Sequence, residues 1–457
     1  MDGLELTWSN KDRELRGDGP DGYRWSARDE PRQAAPLDVI TRVGDGEPHD
    51  GLVVLGDSLE ALHCLAEDST WIGDGVRLVY IDPPFNTGQA FAQYADSLTH
   101  SVWLSMFRDR LLAVKPLLGD TASVWVHLDD AEQHRARCVL DEVFGAAAFV
   151  ATVVWQKRTT RESRSAFSSN HDYIHVYAPA GPQQWKRSRN LLPKDVGELR
   201  NRDGDPRGPW ADAPFTAPGY RANQHYDIVN PAGAVLRPPK GRSWYATRPV
   251  YDRLLQENRI WFPRDGAGLP RIKLFPEHLR GLVPFSLWGP DEAGTNDEAK
   301  RHLMALFPDL DAFATPKPEA LLERIVHIGS DPSELVLDYF AGSGTTAAVA
   351  HKMQRRWIAV ERSSFTAAAF TVPRLARVVM GADPGGITQS TGWGGGGSFV
   401  VASVGDSDAL NGDVLDALRN PSSPGNCTVD LTEAGQAAPA PTSELTLFDE
   451  NAATEVA

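Results

Sequence analysis

Cysteine is scarce in this 457-residue chain, which has only Cys64, Cys138 and Cys427. Three such scattered thiols make neither a disulfide framework nor a thiolate metal site. No apolar run approaches the roughly 20 residues that a membrane-spanning helix needs, so no membrane partner is expected. The opening MDGLELTWSNKDRELRGDG lacks the basic-then-apolar order of a secretory signal. A cytoplasmic, reducing compartment is the expectation. Positive charge is short as well, with 46 Lys and Arg against 61 Asp and Glu, a net charge of -15. Taken whole, that balance has the wrong sign for neutralising phosphates. The first strand is not followed by G-x-G-x-x-G, and no Gly-Lys-Ser/Thr occurs, which counts against dinucleotide and P-loop readings. No repeat excludes the chain from ordinary globular architecture, since none recurs at the spacing of a solenoid.

What is present is enough apolar material for a substantial core: 41% hydrophobic residues against 23% charged. The first 50 residues carry 12 acidic and 7 basic side chains and read as a loosely structured lead-in. From residue 51 a strand–turn–helix grammar sets in. Leu52 to Leu55 is a short apolar run, Gly56-Asp57 a turn, and Leu59, Leu62 and Leu65 recur at helical spacing. VRLVYIDPP (76–84), TASVWVHLDD (121–130) and FVATVVW (149–155) read as strands, and 101–118 and 131–145 as helices. The pattern breaks over about 156–290. It resumes with a helix at 316–329, strands at 334–340 and 356–361, and helices at 345–354 and near 364–379. Strands alternating with such helices predict an α/β fold with a mostly parallel sheet.

Charge is unevenly distributed. Residues 151–280 hold 22 Lys or Arg and 12 Asp or Glu, a local +10, whereas 381–457 hold 11 acidic and 1 basic. The middle also carries Trp155, Trp185, Trp210, Trp244 and Trp261. A basic, aromatic-laced stretch is a candidate nucleic-acid surface.

Two constellations carry chemistry. In YIDPPFNTGQ (80–89), Asp82 ends a strand, where open α/β sheets place ligands. Pro83 and Pro84 fix φ and remove two N–H donors, so the turn presents carbonyl acceptors beside the Asp82 carboxylate. That acceptor-only pocket, with Phe85 as a flat face, suits the amino group of a base taken out of its stack. In LDYFAGSGTTAAV (337–349), a strand ends at Asp338 and the chain turns through Gly342 and Gly344 into a helix opening at Thr345. Glu361, ending the next strand, is placed to accept from ribose hydroxyls.

These segments resemble the amino-methylating DNA methyltransferases that use S-adenosylmethionine, in the permuted order where the catalytic tetrapeptide precedes the cofactor loop. The modification subunits of type III restriction systems are the nearest group. DPPFNTG is similar to their catalytic motif and DYFAGSGTT to their cofactor loop; PKPEALLERI (316–325), LGDSLEAL, HLDDAE, HDYIHVYA and EAGTNDEAK match further. The resemblance spans roughly residues 50–400. It implies that Asp82 and the Pro83 carbonyl hold the target amine, that Pro84 shapes the turn, and that Phe85 stacks on the flipped base. It implies that Asp338, Phe340, Gly342, Gly344 and Thr345 wrap the cofactor and that Glu361 binds its ribose. Lys317 and Pro318 are implied beside its methionine portion, and Asp57 near its adenine. An initial Asp in the tetrapeptide implies adenine N6 over cytosine N4. No metal is implied.

The organisation that follows is a polar lead-in (1–50), a catalytic half of a Rossmann-like methyltransferase core (51–179) and a basic target-recognition insert (180–290). A cofactor-binding half (291–382), a glycine-rich extension (383–403) and an acidic, disordered tail (404–457) complete it. Double-stranded DNA is the expected partner, with a homodimer and a restriction or defence-system subunit as candidates. SELTLFDE (443–450) is similar to peptides that dock on sliding clamps, with Glu444 where Gln is usual; a chance apolar cluster is the plainer reading. Asp129-Asp130 reads as a solvated strand end, His171 and His175 share a strand face without further ligands, and Cys138 packs on a helix. Cytosine-N4 methylation, or a nucleic-acid-binding protein with a vestigial core, are the rival functions.

Overall fold

The computed structural model describes residues 5–18, 22–30, 36–46, 50–86, 98–163, 166–194, 199–279, 281–311, 313, 315–405, 407 and 410–421. Thr87 and Gly88 of the DPPFNTG string, Cys427, and the clamp-like peptide with the rest of the tail from 422 lie outside them. The chain forms two compact units, residues 1–190 with 285–457, and residues 191–284.

In the first unit, ten strands join in one sheet among the described residues. Their order is Leu287–Trp288, Phe149–Gln156, His171–Tyr177, Leu118–Leu128, Val76–Ile81, Leu335–Asp338, Arg356–Glu361, Gly51–Leu55, Ser398–Val404 and Leu37–Gly44. Six adjacent pairs are parallel and three antiparallel. The sheet is therefore mostly parallel, as the strand–helix alternation predicts. The inner strands Gly51–Leu55 and Val76–Ile81 are buried at every residue, which is why they read as unbroken apolar runs rather than alternating ones.

The connections run in opposite directions from the middle. Val76–Ile81 continues through the helix His100–Val114 to Leu118–Leu128 on one side. Leu335–Asp338 continues through Thr345–Lys352 to Arg356–Glu361 on the other. Between these two paired strands the winding reverses, and a crevice opens at their carboxyl ends.

The first 50 residues are not a loose lead-in. Glu14–Asp18 and Gly22–Ser26 form an antiparallel hairpin, and Leu37–Gly44 is the edge strand paired with Ser398–Val404. The hairpin is held by distant partners: Leu15 is buried in the main core, its N–H donates to Asp109 Oδ2 at 2.8 Å, and Trp8 Nε1 donates to Ser105 Oγ at 2.7 Å. A sparse apolar count hid this, because each of these anchors lies about 100 residues away in sequence. The glycine-rich extension likewise supplies Ser398–Val404, a strand inside the sheet rather than an appendage.

The second unit has a three-stranded antiparallel sheet, Ile260–Trp261, Arg271–Leu274 and Ala211–Pro214, over a core that includes Phe215, Ile228, Trp244, Tyr251 and Leu254. Four of the five tryptophans in the basic stretch are not at the surface. Trp210 and Trp244 here, and Trp155 and Trp185 in the first unit, are buried. In a small unit, large rings are needed to fill the core, so they are not platforms for stacking bases. Several arginines are also paired within the unit, Arg207 with Asp205 and Arg237 with Asp227 both at 2.7 Å.

Gly51 pairs with Trp357 in the parallel ladder, and a Cβ on Gly51 would lie 2.2 Å from the Trp357 ring. Because Trp357 is buried and cannot swing away, Gly51→Ala is expected to destabilise the protein by about 1–3 kcal/mol through overpacking. The urea midpoint of the purified variant measures this, and a midpoint matching the parent would contradict the packing described.

Candidate active site

The strand VRLVYI carries the chain into the crevice and is followed directly by Asp82. The two prolines that follow cannot donate, and the Pro84 carbonyl is taken by Trp103 Nε1 at 2.6 Å. Trp103 is itself buried and stacked on Phe107 at 5.1 Å, so the turn is fixed from below. Asn86 leaves the turn in the left-handed region, φ 61°, and its amide donates to the buried Glu132 at 2.8 Å. One Asp82 oxygen, Oδ2, is ion-paired with Lys317. The other, Oδ1, is buried and has no hydrogen-bond partner among the described residues. Phe85 lies 5.9 Å from the His127 ring, with the Lys317 ammonium 5.2 Å from its own ring centre.

The neighbouring strand LVLD ends at Asp338, whose carboxylate accepts the Phe340 N–H at 3.0 Å and the Thr346 hydroxyl at 2.6 Å. The chain then turns through Gly342 and Gly344, both at positive φ (51° and 76°), where a side chain would be strained. Gly344 caps the helix Thr345–Lys352. Glu361, at the end of the next strand, accepts the N–H groups of Gly342 and Ser363, both at 2.8 Å. Burial pushes the carboxyls of Asp338 and Glu361 up to about 7, against the hydrogen bonds that favour their charged forms.

These residues meet in one cavity of about 300 Å³. Of the sequence-predicted set, Asp57, Asp82, Pro83, Pro84, Phe85, Lys317, Asp338, Phe340, Gly342, Thr345 and Glu361 line it. Gly344 and Pro318 stand behind the wall as helix caps, Pro318 at the start of Glu319–Gly329. Lys317 also reaches the tetrapeptide, on Asp82, because the chain just ahead of that helix passes the crevice. Asp57 caps its own helix through the Leu59 N–H (2.9 Å) and is held by Arg110 at 2.6 and 2.8 Å.

Two contributions are absent from the sequence reading. Tyr23, on the N-terminal hairpin, lines the cavity. A buried polar chain also adjoins Phe85: Tyr80 OH bonds His127 Nδ1 at 2.8 Å, His127 Nε2 bonds Asp172 Oδ2 at 3.1 Å, and Lys157 Nζ bonds Asp172 Oδ1 at 2.7 Å. Burial lowers the pKa of His127, so the neutral ring accepts from Tyr80 and donates to Asp172. Burial would raise the Asp172 carboxyl, but the His127 hydrogen bond and the Lys157 and Lys317 charges bring it down to about 2. Tyr80 stands two residues before Asp82, and His127 and Asp172 fall in the matched strings HLDDAE and HDYIHVYA. The residues were visible; their meeting was not.

Other candidates resolve differently. His175 is buried, with Nδ1 bonded to Thr152 Oγ1 (3.0 Å) and Nε2 to the Gln133 carbonyl (3.1 Å), so no ring nitrogen is left for a metal shared with His171. Among the described residues, His302, Glu319 and Asp383 cluster at metal-like spacing. Lys352 Nζ occupies the cation's place there, 2.8 Å from Glu319 and 2.6 Å from Asp383. Arg374 extends that network from Glu319 (2.9 Å) to Thr345 Oγ1 (2.7 Å), tying the helix after Lys317 to the glycine turn.

The raised Asp338 carboxyl has a stability consequence. Its folded value of about 7 exceeds the ordinary 3.8, so the native state holds a proton that the unfolded chain has lost between those values. Stability from this group is complete at acid pH and declines as pH rises toward about 7. Without added ligand, Asp338→Asn should flatten the fall in urea-derived unfolding free energy between about pH 4 and 7, by up to a few kcal/mol. A parent and variant with parallel pH profiles would refute the shift.

The family model described as DNA methylase matches residues 76–370. The Mod subunit of the type III restriction–modification enzyme StyLTI from Salmonella typhimurium is 31% identical over 330 residues, covering 65% of this chain and 49% of that protein. The probable HindVI Mod subunit from Haemophilus influenzae is 28% identical, covering 80% of this chain and 55% of that protein. The type II methyltransferase M.EcaI from Enterobacter cloacae is 28% identical, covering 65% and 64%. The chain thus spans about half the length of the first two relatives. With the tetrapeptide and the glycine turn facing one crevice, and a matching model across most of the core, this chain belongs to the DNA methylase family.

Proposed function

We propose that this chain is a site-specific DNA methyltransferase that moves a methyl group from S-adenosylmethionine to the exocyclic N6 of adenine. The observation that carries the reading is Asp82 Oδ1, a buried acceptor without a donor among the described residues, in the cavity wall that Pro83 and Pro84 also line. A buried unpaired acceptor is costly unless a ligand donor completes it, and an aromatic amine is such a donor. The relatives' names, Mod subunit and methyltransferase, support the same reading.

The cavity's chemistry fits the cofactor. Glu361 has carboxyl oxygens beside a glycine turn for ribose hydroxyls, and Asp338 and Asp82 place carboxyl oxygens around the space a sulfonium would take. S-adenosylmethionine, when bound, supplies an electrophilic methyl group. The residues of the chain do the rest. An adenine amine is a poor nucleophile, because its lone pair is delocalised into the ring. Asp82 Oδ1 and the Pro83 carbonyl accept its two hydrogens, which draws the nitrogen toward tetrahedral geometry and frees the lone pair. These acceptors are already fixed, by Lys317 on Oδ2 and by Trp103 under the turn, so little reorganisation is needed as charge develops on nitrogen. Phe85 packs against the extruded base, and the Tyr80–His127–Asp172–Lys157 chain keeps the wall behind it rigid.

The unit at 191–284 is the proposed target-recognition region, gripping duplex DNA through surface Lys and Arg rather than through stacked tryptophans. A restriction or defence-system subunit is the proposed partner, with a homodimer as the proposed assembly and the cytoplasm as the compartment. No described helix is long and apolar enough to cross a membrane.

Asp82→Ala is expected to lower methyl transfer to duplex DNA by at least about 100-fold, in line with losing one transition-state contact, while S-adenosylhomocysteine binding stays near the parent's. Labelled-methyl incorporation followed by nucleoside analysis reads both rate and base. N6-methyladenine is the expected product. Near-normal turnover of the variant would sink the Asp82 assignment, and N4-methylcytosine would transfer the reading to the cytosine enzyme.

A further inference from the structure

The N-terminal hairpin lies outside the residues matched by the family model, which begin at 76. Yet it meets the cavity wall. Tyr23 stands in the strand Gly22–Ser26 and its side chain lines the cavity with Asp57, Phe340 and Glu361. Arg362, the residue after Glu361, holds this strand in place: its guanidinium is 4.5 Å from the Tyr23 ring centre and donates to the Gly22 carbonyl at 2.6 Å. On the other side Arg110, which grips Asp57, lies 5.7 Å from the same ring. The partner strand is close enough that a Cβ on Gly17 would sit 3.2 Å from the Asp57 side chain. The hairpin is anchored below, by buried Leu15 and by Asp109, which accepts from the Leu15 N–H and from Arg28, both at 2.8 Å.

Tyr23 is thus held between two guanidiniums, Arg110 and Arg362, in the wall of the cavity that Asp57 and Glu361 also line, and is the aromatic side chain that the hairpin contributes there. A purine needs a broad, weakly polar surface beside the acceptors that take its amine and its ribose hydroxyls. We infer that Tyr23 is a cofactor-binding residue, its ring forming part of the wall for the adenosine portion of S-adenosylmethionine, so that the N-terminal hairpin is a component of the binding site. The inference rests on the cofactor reading proposed above. A purely structural Tyr23 would only steady Arg110 and Arg362, and removing it would lower stability without changing affinity selectively.

Calorimetric titration with S-adenosylhomocysteine on the full chain separates the two. Tyr23→Ala is expected to weaken binding about tenfold and Tyr23→Phe by no more than about twofold, with the unliganded melting temperatures close to the parent's. Alanine binding within twofold of the parent would overturn the inference. Failure of the parent to bind would instead overturn the cofactor reading. If Tyr23→Ala does not fold, hydrogen exchange on the parent decides: the amides of Gly22–Ser26 should exchange more slowly with S-adenosylhomocysteine present, and unchanged exchange would overturn the inference.

Discussion

The site depends on one pairing, the parallel ladder between Val76–Ile81 and Leu335–Asp338. These strands are far apart in the chain, and each ends in a carboxylate. Parallel pairing puts both carboxyl ends on the same edge of the sheet, so Asp82 and Asp338 face one crevice. The reversal of winding between the strands then opens that crevice, because the following helices leave to opposite sides. Antiparallel pairing would have put the two motifs at opposite ends of the sheet, whatever their composition.

Around this pairing the fold supplies rigidity. Trp103 beneath Pro84, Thr346 on Asp338 and the Gly342 N–H on Glu361 each fix an acceptor before any ligand arrives. The buried ions follow the same logic at larger scale. Lys352, Glu319, Asp383 and Arg374 neutralise one another out of water, and they join the helix beyond Lys317 to the glycine turn. Breaking one member of such a network leaves an uncompensated charge. Lys317 therefore reaches Asp82 from a chain segment with little freedom to move.

Legibility followed the range of the interaction. The strand at 76–81, the helix at 345–352 and the strand at 356–361 are written in local apolar pattern and turn residues, and they stand where the pattern places them. The residues of the two constellations are local as well, and nearly all of them line the cavity. The hairpin at 14–26 was not legible, since its few apolar residues have no period and its partner Asp109, like the Ser105 that holds Trp8 just ahead of it, comes from another element. Tryptophan misled for a related reason. A ring among arginines has the same local sequence whether it faces solvent or a small core, and Trp210 and Trp244 fill cores.

By itself the sequence determined the chemistry on offer: acceptors without donors at Asp82–Pro84, a glycine turn opening a helix, carboxylates at strand ends, and an α/β rhythm to carry them. Those properties belong to neighbouring residues, and steric limits on proline and glycine act within a few bonds. The tertiary structure alone decided which strands became neighbours, that Lys317 pairs with Asp82, that His127 stays neutral between Tyr80 and Asp172, and that Tyr23 joins the wall. Each of these is fixed by the burial of groups distant in the chain, and burial is settled only when the whole core closes.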